Sequence, residues 1–463
     1  MSARAARGTP ALTGSRRRGY GSRPPVPAPL RNTLLVAVAA VALAGCGDPP
    51  SAEPAPLDRF SFPIALALSG SDLLVVSSNF DLSYGIDDGG SVIPVDVGAA
   101  PPALREGGVR IASFAGEVAI ADATACGLPE TLALVPAREG NSLYRVGVGP
   151  AGALSCGEGC RVPLRDDFQD VFGVAAVCRA DDPATSPDES RARAYIGFLR
   201  TPQNRGQVVE LDLRTGATRS RDVGVGPVRS FAYDALNERL YLTSIESGTI
   251  APLRWIELAG DCPFAVATAD GGCPVQGVDL AAYVRGAELR GIALSNPQLG
   301  RTRRAFIAAR VYNADLASSI GGRPPFDVGG LLIVLDLVEG RAGIEPRLAG
   351  LFDVGLGANE VEVLPARAGK GDLVAVTASD DGLLWIYDDD QEALVRVFGR
   401  DPRTGVPLLG RQPFGLVARD DGASARLFVS SFEDGFVTPV DVPLDQPWTA
   451  ADPRADQRIG VTP

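Results

Sequence analysis

The stretch "RLFVSSFEDGFVTPVDV", residues 426–442, repeats a pattern that the chain already carries near its other end. Residues 73–97 read "LLVVSSNFDLSYGIDDGGSVIPVDV", with the same apolar run, the same Ser-Ser pair, a glycine turn and the same Val-x-Pro-Val-Asp-Val ending. Two apolar runs joined by a glycine-containing turn predict a pair of β-strands. Because the two copies lie so far apart, the sequence indicates an array built from one repeated β-unit.

Five weaker copies lie between these two. They read "TLALVPAREG" to "NSLYRVGV", "AYIGFL" to "QVVELDL", "RLYLTSIESG" to "TIAPLRWIEL", "RAFIAARVYN" to "LLIVLDL", and "LVAVTASDDG" to "LLWIYDD". The turn glycines of all seven copies are Gly90, Gly140, Gly206, Gly248, Gly330, Gly382 and Gly435, which are 50, 66, 42, 82, 52 and 53 residues apart. Such spacings are of the order expected for the four-stranded blades of a β-propeller with variable loops.

A further strand precedes five of the copies: "FPIALAL", "FGVAAVC", "GPVRSFAYD", "RGIALS" and "QPFGLVARD". A four-stranded sheet cannot bury both faces alone, so blades stack around an axis and cover one another. We therefore predict an all-β chain, a single propeller of seven four-stranded blades, with six or eight blades as alternatives. The matching ends predict that the first and last blades are neighbours. Residues 58–68 should then pair with, or pack on, the blade that contains residues 412–442.

One copy also resembles a known family. Residues 239–253, "RLYLTSIESGTIAPL", are similar to the YVTN-type β-propeller repeat, with Tyr241, Leu242, Thr243 and Ser244 standing where the family has Tyr-Val-Thr-Asn. The resemblance extends over residues 60–445 and is closest in this unit. It implies a propeller fold and, from the exported and lipid-anchored members, a binding or scaffolding role. The family offers no catalytic residues to carry over.

The first fifty residues predict export. Residues 33–45, "TLLVAVAAVALAG", follow Arg31 and are too short to span a bilayer, which takes about 20 residues, but they fit the apolar core of a signal peptide. They end in Leu43-Ala44-Gly45-Cys46, which resembles a bacterial lipobox and implies that Cys46 is lipidated and becomes the new N-terminus. The alternative is a short buried strand followed by a chance cysteine.

These features divide the chain into four parts. Residues 1–45 are a predicted lipoprotein signal peptide, whose length leaves the translation start open, and residues 46–58 are the lipidated cysteine with a proline-rich tether. Residues 59–445 are the propeller and residues 446–463 a C-terminal tail. Since Gly47 follows Cys46, we expect attachment to the outer rather than the inner membrane of a bacterial cell envelope.

Charge limits the partners of the mature chain. The net charge of the sequence is −12, and removing residues 1–45 removes seven arginines and no acids, which gives −12 − 7 = −19. So acidic a body is repelled by nucleic acid and by anionic lipid headgroups. We therefore expect no nucleic-acid partner, and contact with the membrane only through the lipid on Cys46.

Histidine is absent from the sequence. This excludes Ser-His-Asp and Cys-His catalytic sites and every metal or haem site that needs an imidazole ligand. The chain therefore lacks the residue on which most familiar hydrolase and redox sites depend.

Six cysteines remain beyond Cys46, an even number in an exported chain, and predict disulfides. Cys262 and Cys273 are the best local pair. Cys156 and Cys160, in "CGEGC", could close a tight loop and leave Cys126 with Cys178, although four cysteines allow three connectivities. A thiolate metal site built on "CGEGC" is the alternative.

Acidic residues cluster beside predicted turns. The weak calcium candidates are Asp380, Asp381, Asp388 and Asp390. Carboxylates on loops can bind Ca²⁺, but these lack the alternating spacing of a dedicated calcium loop, and aspartate is favoured in turns for its local hydrogen bonds. We therefore interpret them as solvated turn residues and predict no cofactor.

The sequence favours a non-catalytic scaffold that binds protein partners through propeller loops or one propeller face. The alternative is an enzyme of the metal-dependent lactonase type, with Glu360, Asn359 and Asp353 around a divalent cation in the channel. A carbohydrate-binding module would need more exposed aromatic residues than a content of 6% suggests.

Overall fold

A computed structural model describes residues 53–165, 167–178, 192–245, 251–258, 264, 272–298, 300–312, 327–340 and 343–460. The predicted signal peptide, Cys46 and Cys262 lie outside these residues. Within the described ranges, no helix has the length and apolarity needed to cross a bilayer.

Seven small antiparallel sheets follow one another along the chain and form a ring, a seven-bladed β-propeller. Blade 1 contains β1 (Pro63–Ser69), β2 (Asp72–Ser77), β3 (Gly90–Asp96), β4 (Ala103–Leu104) and β5 (Val109–Ile111), and blade 2 contains β6 (Ala119–Ala121), β7 (Thr131–Ala137), β8 (Ser142–Val148), β9 (Leu154–Ser155) and β10 (Arg161–Pro163). Blade 3 contains β11 (Gln169–Cys178), β12 (Ala192–Arg200), β13 (Arg205–Asp212) and β14 (Thr218–Val225), and blade 4 contains β15 (Val228–Asp234), β16 (Arg239–Ser244), β17 (Pro252–Glu257) and β18 (Val275–Asp279). Blade 5 contains β19 (Ala287–Leu294), β20 (Arg303–Tyr312), β21 (Asp327–Gly340) and β22 (Gly343–Asp353). Blade 6 contains β23 (Ala358–Val363), β24 (Leu373–Ala378), β25 (Leu383–Asp388) and β26 (Ala393–Phe398). Blade 7 contains β27 (Pro413–Asp420), β28 (Ser424–Ser431) and β29 (Phe436–Pro443). The predicted fold class is confirmed.

Helical structure in the described ranges is sparse. The α-helix α1 spans Ala123–Cys126, and short 3-10 turns occur at Pro150–Gly152, Pro202–Asn204, Leu280–Ala282, Pro447–Thr449 and Ala455–Gln457. Asp122 caps α1 by accepting a hydrogen bond from the backbone N–H of Ala125 at 2.9 Å.

Each sequence repeat forms the middle hairpin of a blade, its second and third strands. Most residues of these strands are buried because neighbouring blades cover both of their faces; all six residues of β2 and of β24 are buried. The first strand of each blade lies innermost. In blades 1 and 2, two short strands pair with different parts of the third strand in place of one long fourth strand. Because these outer strands are so short, the sequence shows no clear pattern for a fourth strand.

The hydrophobic core is divided among the blade interfaces. The described residues form seven clusters of buried apolar side chains, each centred on the contact between two neighbouring blades. One of them packs Leu66, Leu73 and Ile93 of blade 1 against Phe428 and Val437 of blade 7. The ring is therefore held by the same kind of interface all the way around, as expected for stacked repeats.

The chain ends close the ring by packing rather than by strand exchange. β1 packs directly on β27 and β28, which confirms the expected contact between residues 58–68 and the last blade. No swapped strand joins the two sheets among the described residues. Instead, Ile459 of the C-terminal tail forms an isolated bridge to Val437 and covers the outer edge of blade 7.

Candidate functional site

The innermost strands surround the propeller axis, and their irregular pairing turns side chains inward. In six of the seven blades, the register between the first and second strands shifts near the start of the first strand. Such a bulge sets two residues against one, bends the strand and redirects its side chains. In blade 2, Ala115 pairs with Ala137 in an isolated bridge ahead of β6, and the register between this bridge and the β6–β7 pairing shifts in the same way.

This shared register aligns the seven strands in layers around the axis. The bulges begin at Pro63, Ala115, Val171, Val228, Leu289, Ala358 and Pro413. Two residues further on stand Ala65, Glu117, Gly173, Ser230, Gly291, Glu360 and Gly415, and four residues further on stand Ala67, Ala119, Ala175, Ala232, Ala293, Glu362 and Val417. Both layers are built from small residues, except for three glutamates and one valine.

Small residues are needed here because the strands approach one another closely. A Cβ at Gly173 would lie 2.4 Å from the carbonyl oxygen of Arg229, and one at Gly415 would lie 2.9 Å from that of Ile64. Both distances are below any normal carbon–oxygen contact. The glutamates of blades 2 and 6 are therefore departures from a steric rule that most of the ring obeys.

Arg229 lies between two of these glutamates. Its Nη1 is 3.1 Å from Oε1 of Glu117 in blade 2, and its Nη2 is 3.2 Å from Oε1 of Glu360 in blade 6. The guanidinium carbon lies 3.7 Å from the ring centroid of Phe172, within cation–π range. Only 1% of the Arg229 side chain is exposed. Arg229, which lies in β15 of blade 4, thus contacts side chains of blades 2, 3 and 6.

Burial and mutual repulsion control the ionisation of this group. Burial, and then the charge of Glu360, raises the pKa of Glu117 to about 8. Burial also raises the pKa of Glu360, although Arg229 opposes the shift. The pKa of Glu362 rises to about 7 through burial, against a hydrogen bond from the backbone N–H of Ala418 at 3.3 Å. In the same way, burial lowers the pKa of Arg229.

All three glutamates line a cavity of about 350 Å³ that follows the inner strands. Most of the residues that line it are apolar, among them Leu66, Val174, Phe231, Ile292, Val361 and Leu416, but polar atoms form the larger part of its exposed surface. Ser230, which hydrogen-bonds Glu117, adds a hydroxyl group. The volume falls at the lower end of the range for small-molecule sites, about 300–1,000 Å³.

A second feature lies where the inner strands begin. Five phenylalanines from blades 1, 2 and 7 pack together with ring centroids between 5.2 and 6.4 Å apart; they are Phe62, Phe80, Phe114, Phe414 and Phe432. We call this cluster the aromatic face. Phe80 is 52% exposed, although a buried position would be favourable for so large an apolar side chain.

The channel residues proposed for a lactonase-type site are only partly brought together. Glu360 lines the cavity, and Asn359 lies beside it, with its Nδ2 3.4 Å from Oε1 of Glu360. Asp353 ends β22 at the blade surface, where it accepts a hydrogen bond from the backbone N–H of Gly355. Within the described residues, no group of three or more acidic or cysteine side chains is arranged to hold a metal ion.

The four aspartates considered for calcium lie at opposite ends of β25. Asp380 accepts a hydrogen bond from Ser379, and Asp381 accepts one from the backbone N–H of Leu356. At the other end, Asp388 is 3% exposed and pairs with Arg367, while Asp390 pairs with Arg301. The two pairs are separated by a six-residue strand, or about 20 Å, so they cannot share one ion.

Two disulfides occur among the described cysteines. Cys126 in α1 is bonded to Cys178 at the end of β11, and Cys156 to Cys160, with Cα–Cα distances of 4.5 and 5.1 Å. This is one of the connectivities that the sequence left open. Because Cys156 and Cys160 are bonded to each other, they hold no metal as thiolates. Cys273 is also disulfide-bonded, but the predicted pairing with Cys262 falls outside the described residues.

Comparisons with known proteins found solved structures that are similar to this chain. The chain is similar to Sqt1 from Chaetomium thermophilum bound to the N-terminus of the ribosomal protein L10, with 14% identity over 84% of this chain and 88% of that one and a TM-score of 0.48. It is also similar to AztD from Citrobacter koseri, with 12% identity over 86% of each chain and a TM-score of 0.46. A putative 6-phosphogluconolactonase from Bacteroides uniformis shows 12% identity over 84% of this chain and 87% of that one, with a TM-score of 0.45. No protein-family model and no curated protein matches the sequence.

Of the residues around the cavity, Glu360 was predicted from the sequence, whereas Arg229, Glu117 and Glu362 were not. The reason is that they act together only after strands far apart in the chain converge on the axis. A usable signal was nevertheless present. Aligning the seven inner strands by their small residues would have shown three glutamates where alanine, glycine or serine is the rule.

Proposed function

We propose that this protein is an exported, lipid-anchored β-propeller that binds a protein partner through its aromatic face and catalyses no reaction. The observation that carries this proposal is the half-exposed Phe80 above four packed phenylalanine rings. Aromatic side chains are enriched in protein interfaces, and an exposed apolar cluster bordered by polar residues marks an interaction site.

The charge around Phe80 narrows the chemistry of the partner. Asp81 and Asp87, in the same loop, are exposed to solvent. Carboxylates at the rim of an interface attract basic residues and repel acidic ones. We therefore expect a partner segment with apolar side chains next to lysine or arginine.

The position of the N-terminal segment supports a partner at the same membrane. The backbone N–H of Gly85 donates to the carbonyl of Glu53 at 2.8 Å, and that of Ala55 donates to the carbonyl of Asp88 at 3.0 Å. The described chain therefore begins beside the loop that carries Phe80. Cys46 is seven residues before Glu53, so its lipid can be at most roughly 25 Å away along an extended chain.

The lipid anchor itself rests on the sequence. The lipobox-like Leu43-Ala44-Gly45-Cys46 follows an apolar segment of signal-peptide length, and the YVTN-like repeat resembles families with exported members. The two disulfides agree with an oxidising compartment. We accordingly include outer-membrane attachment in a bacterial envelope in the proposal.

Site-specific photo-crosslinking of the membrane-anchored chain tests the partner. A benzoylphenylalanine at Phe80 should give one discrete protein adduct, whereas the same group at Leu236, which is 66% exposed at the β15–β16 turn, should give none. Changing Asp81 and Asp87 to lysine should weaken the Phe80 adduct by opposing a basic partner. Equal adducts at both positions, or adducts with lipid alone, would contradict the proposal.

Metabolic labelling with a palmitate analogue tests the anchor separately. Wild-type protein should incorporate the label and Cys46→Ala should not, while Cys273→Ala serves as a control that keeps Cys46. Label retained by Cys46→Ala would rule out lipidation at this cysteine.

A further inference from the structure

The axial cavity carries an excess of negative charge that the proposed function does not use. Glu117, Glu360 and Glu362 all line it. Among the described residues, Arg229 is the one cation within ion-pair distance of any of them, since neighbouring Arg290 pairs with Glu288. Fully ionised, these three carboxylates and one guanidinium carry a net charge of −2.

Glu362 is the least satisfied of the three. Arg229 binds Glu117 and Glu360, whereas within the part of the chain that the structure describes Glu362 accepts a single hydrogen bond, from the backbone N–H of Ala418 at 3.3 Å. A partly buried carboxylate such as that of Glu362 is costly unless a cation or a proton neutralises it. The raised pKa of Glu362, about 7, reflects this cost. The cavity therefore favours whatever brings positive charge to Glu362.

The layers around the axis show that Glu362 is not required for packing. Five of the other six blades carry alanine at the equivalent position: Ala67, Ala119, Ala175, Ala232 and Ala293. An alanine would therefore complete the wall of blade 6, yet the chain places a carboxylate there. The carboxylate also has free space in front of it, since it borders the 350 Å³ cavity.

The lining indicates the class of ligand. An inorganic cation would need several free carboxylate oxygens in one place, but Arg229 already engages Glu117 and Glu360, and no metal-binding group is present in the described residues. The apolar side chains of Leu66, Val174 and Leu416 would instead cover an aliphatic body. Apolar walls with a few placed polar groups are the usual composition of a small-molecule site.

We propose that the axial cavity binds a small organic cation, an alkylammonium or guanidinium compound with a short aliphatic body, with its charged group at the carboxylate of Glu362. The charge of the ligand takes the place of the proton that the raised pKa of Glu362 favours. This inference is independent of the aromatic face and of lipidation.

Isothermal titration calorimetry of the mature chain with n-pentylammonium chloride tests the proposal. We expect one site per chain and at least tenfold weaker binding of pentan-1-ol, which has the same body without the charge. Affinity should rise between pH 6 and pH 8, because the pKa of Glu362 is about 7 and binding displaces its proton. Equal affinity for amine and alcohol, or no saturation by about 10 mM amine, would overturn the proposal.

Two variants assign the site. Glu362→Gln keeps the shape and removes the charge, and Glu362→Ala installs the residue of the other blades, so at least one should fold. Either should weaken pentylammonium binding at least tenfold, whereas Glu392→Gln, at a 63% exposed side chain, should leave it unchanged. Unchanged binding in both Glu362 variants would place the amine elsewhere and refute the assignment.

Discussion

The inner strands of blades 3 and 5 differ from those of blades 2 and 6 in one layer of the channel. Blades 3 and 5 place Gly173 and Gly291 against a neighbouring carbonyl group, with room for nothing larger. At the same level, blades 2 and 6 place Glu117 and Glu360, which Arg229 bridges. The glycines of blades 3 and 5 show that this layer requires small residues where neighbouring inner strands approach closely. The glutamates of blades 2 and 6 are exceptions to this requirement and place charged groups near the axis.

The departure coincides with a gap in the sequence signal. The five first strands that the sequence predicted belong to blades 1, 3, 4, 5 and 7, while the missed strands β6 and β23 are those next to or carrying the glutamates. Polar residues interrupt the apolar pattern that identifies a buried strand. A first strand that fails to match its copies thus marked the charged positions Glu117, Glu360 and Glu362 rather than a missing strand.

Removing the bridge between blades 2 and 6 should have the largest effect. Arg229→Met leaves Glu117 and Glu360 buried without their cation and should lower the free energy of unfolding by about 3–5 kcal/mol at pH 8. Chemical denaturation measures this. Arg347→Met, at a side chain that is 63% exposed and paired with Glu345, should change stability little. A loss for Arg229→Met no larger than that of the control would mean that the bridge is unimportant.

Imposing a side chain on the glycine layer should have the next largest effect. Gly173→Ala brings a Cβ to 2.4 Å from the carbonyl oxygen of Arg229, so a strand must move, at a cost of about 1–3 kcal/mol. Gly157→Ala is the matched control, because nothing lies within 4 Å of its Cβ. Thermal melting of both variants should separate them, and equal melting temperatures would show that the inner ring is looser than the distances indicate.

The pH dependence of stability should distinguish the glutamate blades from the glycine blades. Because the pKa of Glu117 is about 8 in the folded chain and near 4.5 when unfolded, the folded state binds more protons between these values. Stability from this group is therefore present below about pH 4.5 and is lost as the pH rises towards 8. We therefore expect the free energy of unfolding of Glu117→Gln, relative to that of the wild type, to increase by about 1–3 kcal/mol between pH 5 and pH 8. A constant difference across this range would contradict the assigned pKa.

Restoring the alanine layer should have the smallest effect. Glu362→Ala gives blade 6 the residue that five blades already carry and removes a buried carboxylate, so its stability at pH 8 should equal or exceed the wild type by about 0–1 kcal/mol. Ala232→Glu, the reverse change in blade 4, should destabilise by more than this. If Glu362→Ala were strongly destabilising, Glu362 would have a structural role that the layers do not reveal.

The sequence by itself determined the repeated hairpin and predicted the contact between the first and last blades, and it favoured seven blades over six or eight. These follow from local patterns, since apolar runs and glycine turns such as that at Gly435 act within a dozen residues. Only the tertiary structure decided the channel. Glu117, Arg229 and Glu360 are separated by more than 100 residues along the chain, and they meet because the bulges of three inner strands point at one axis. Long-range convergence of this kind leaves no local pattern, so their pairing became visible only once the ring had closed.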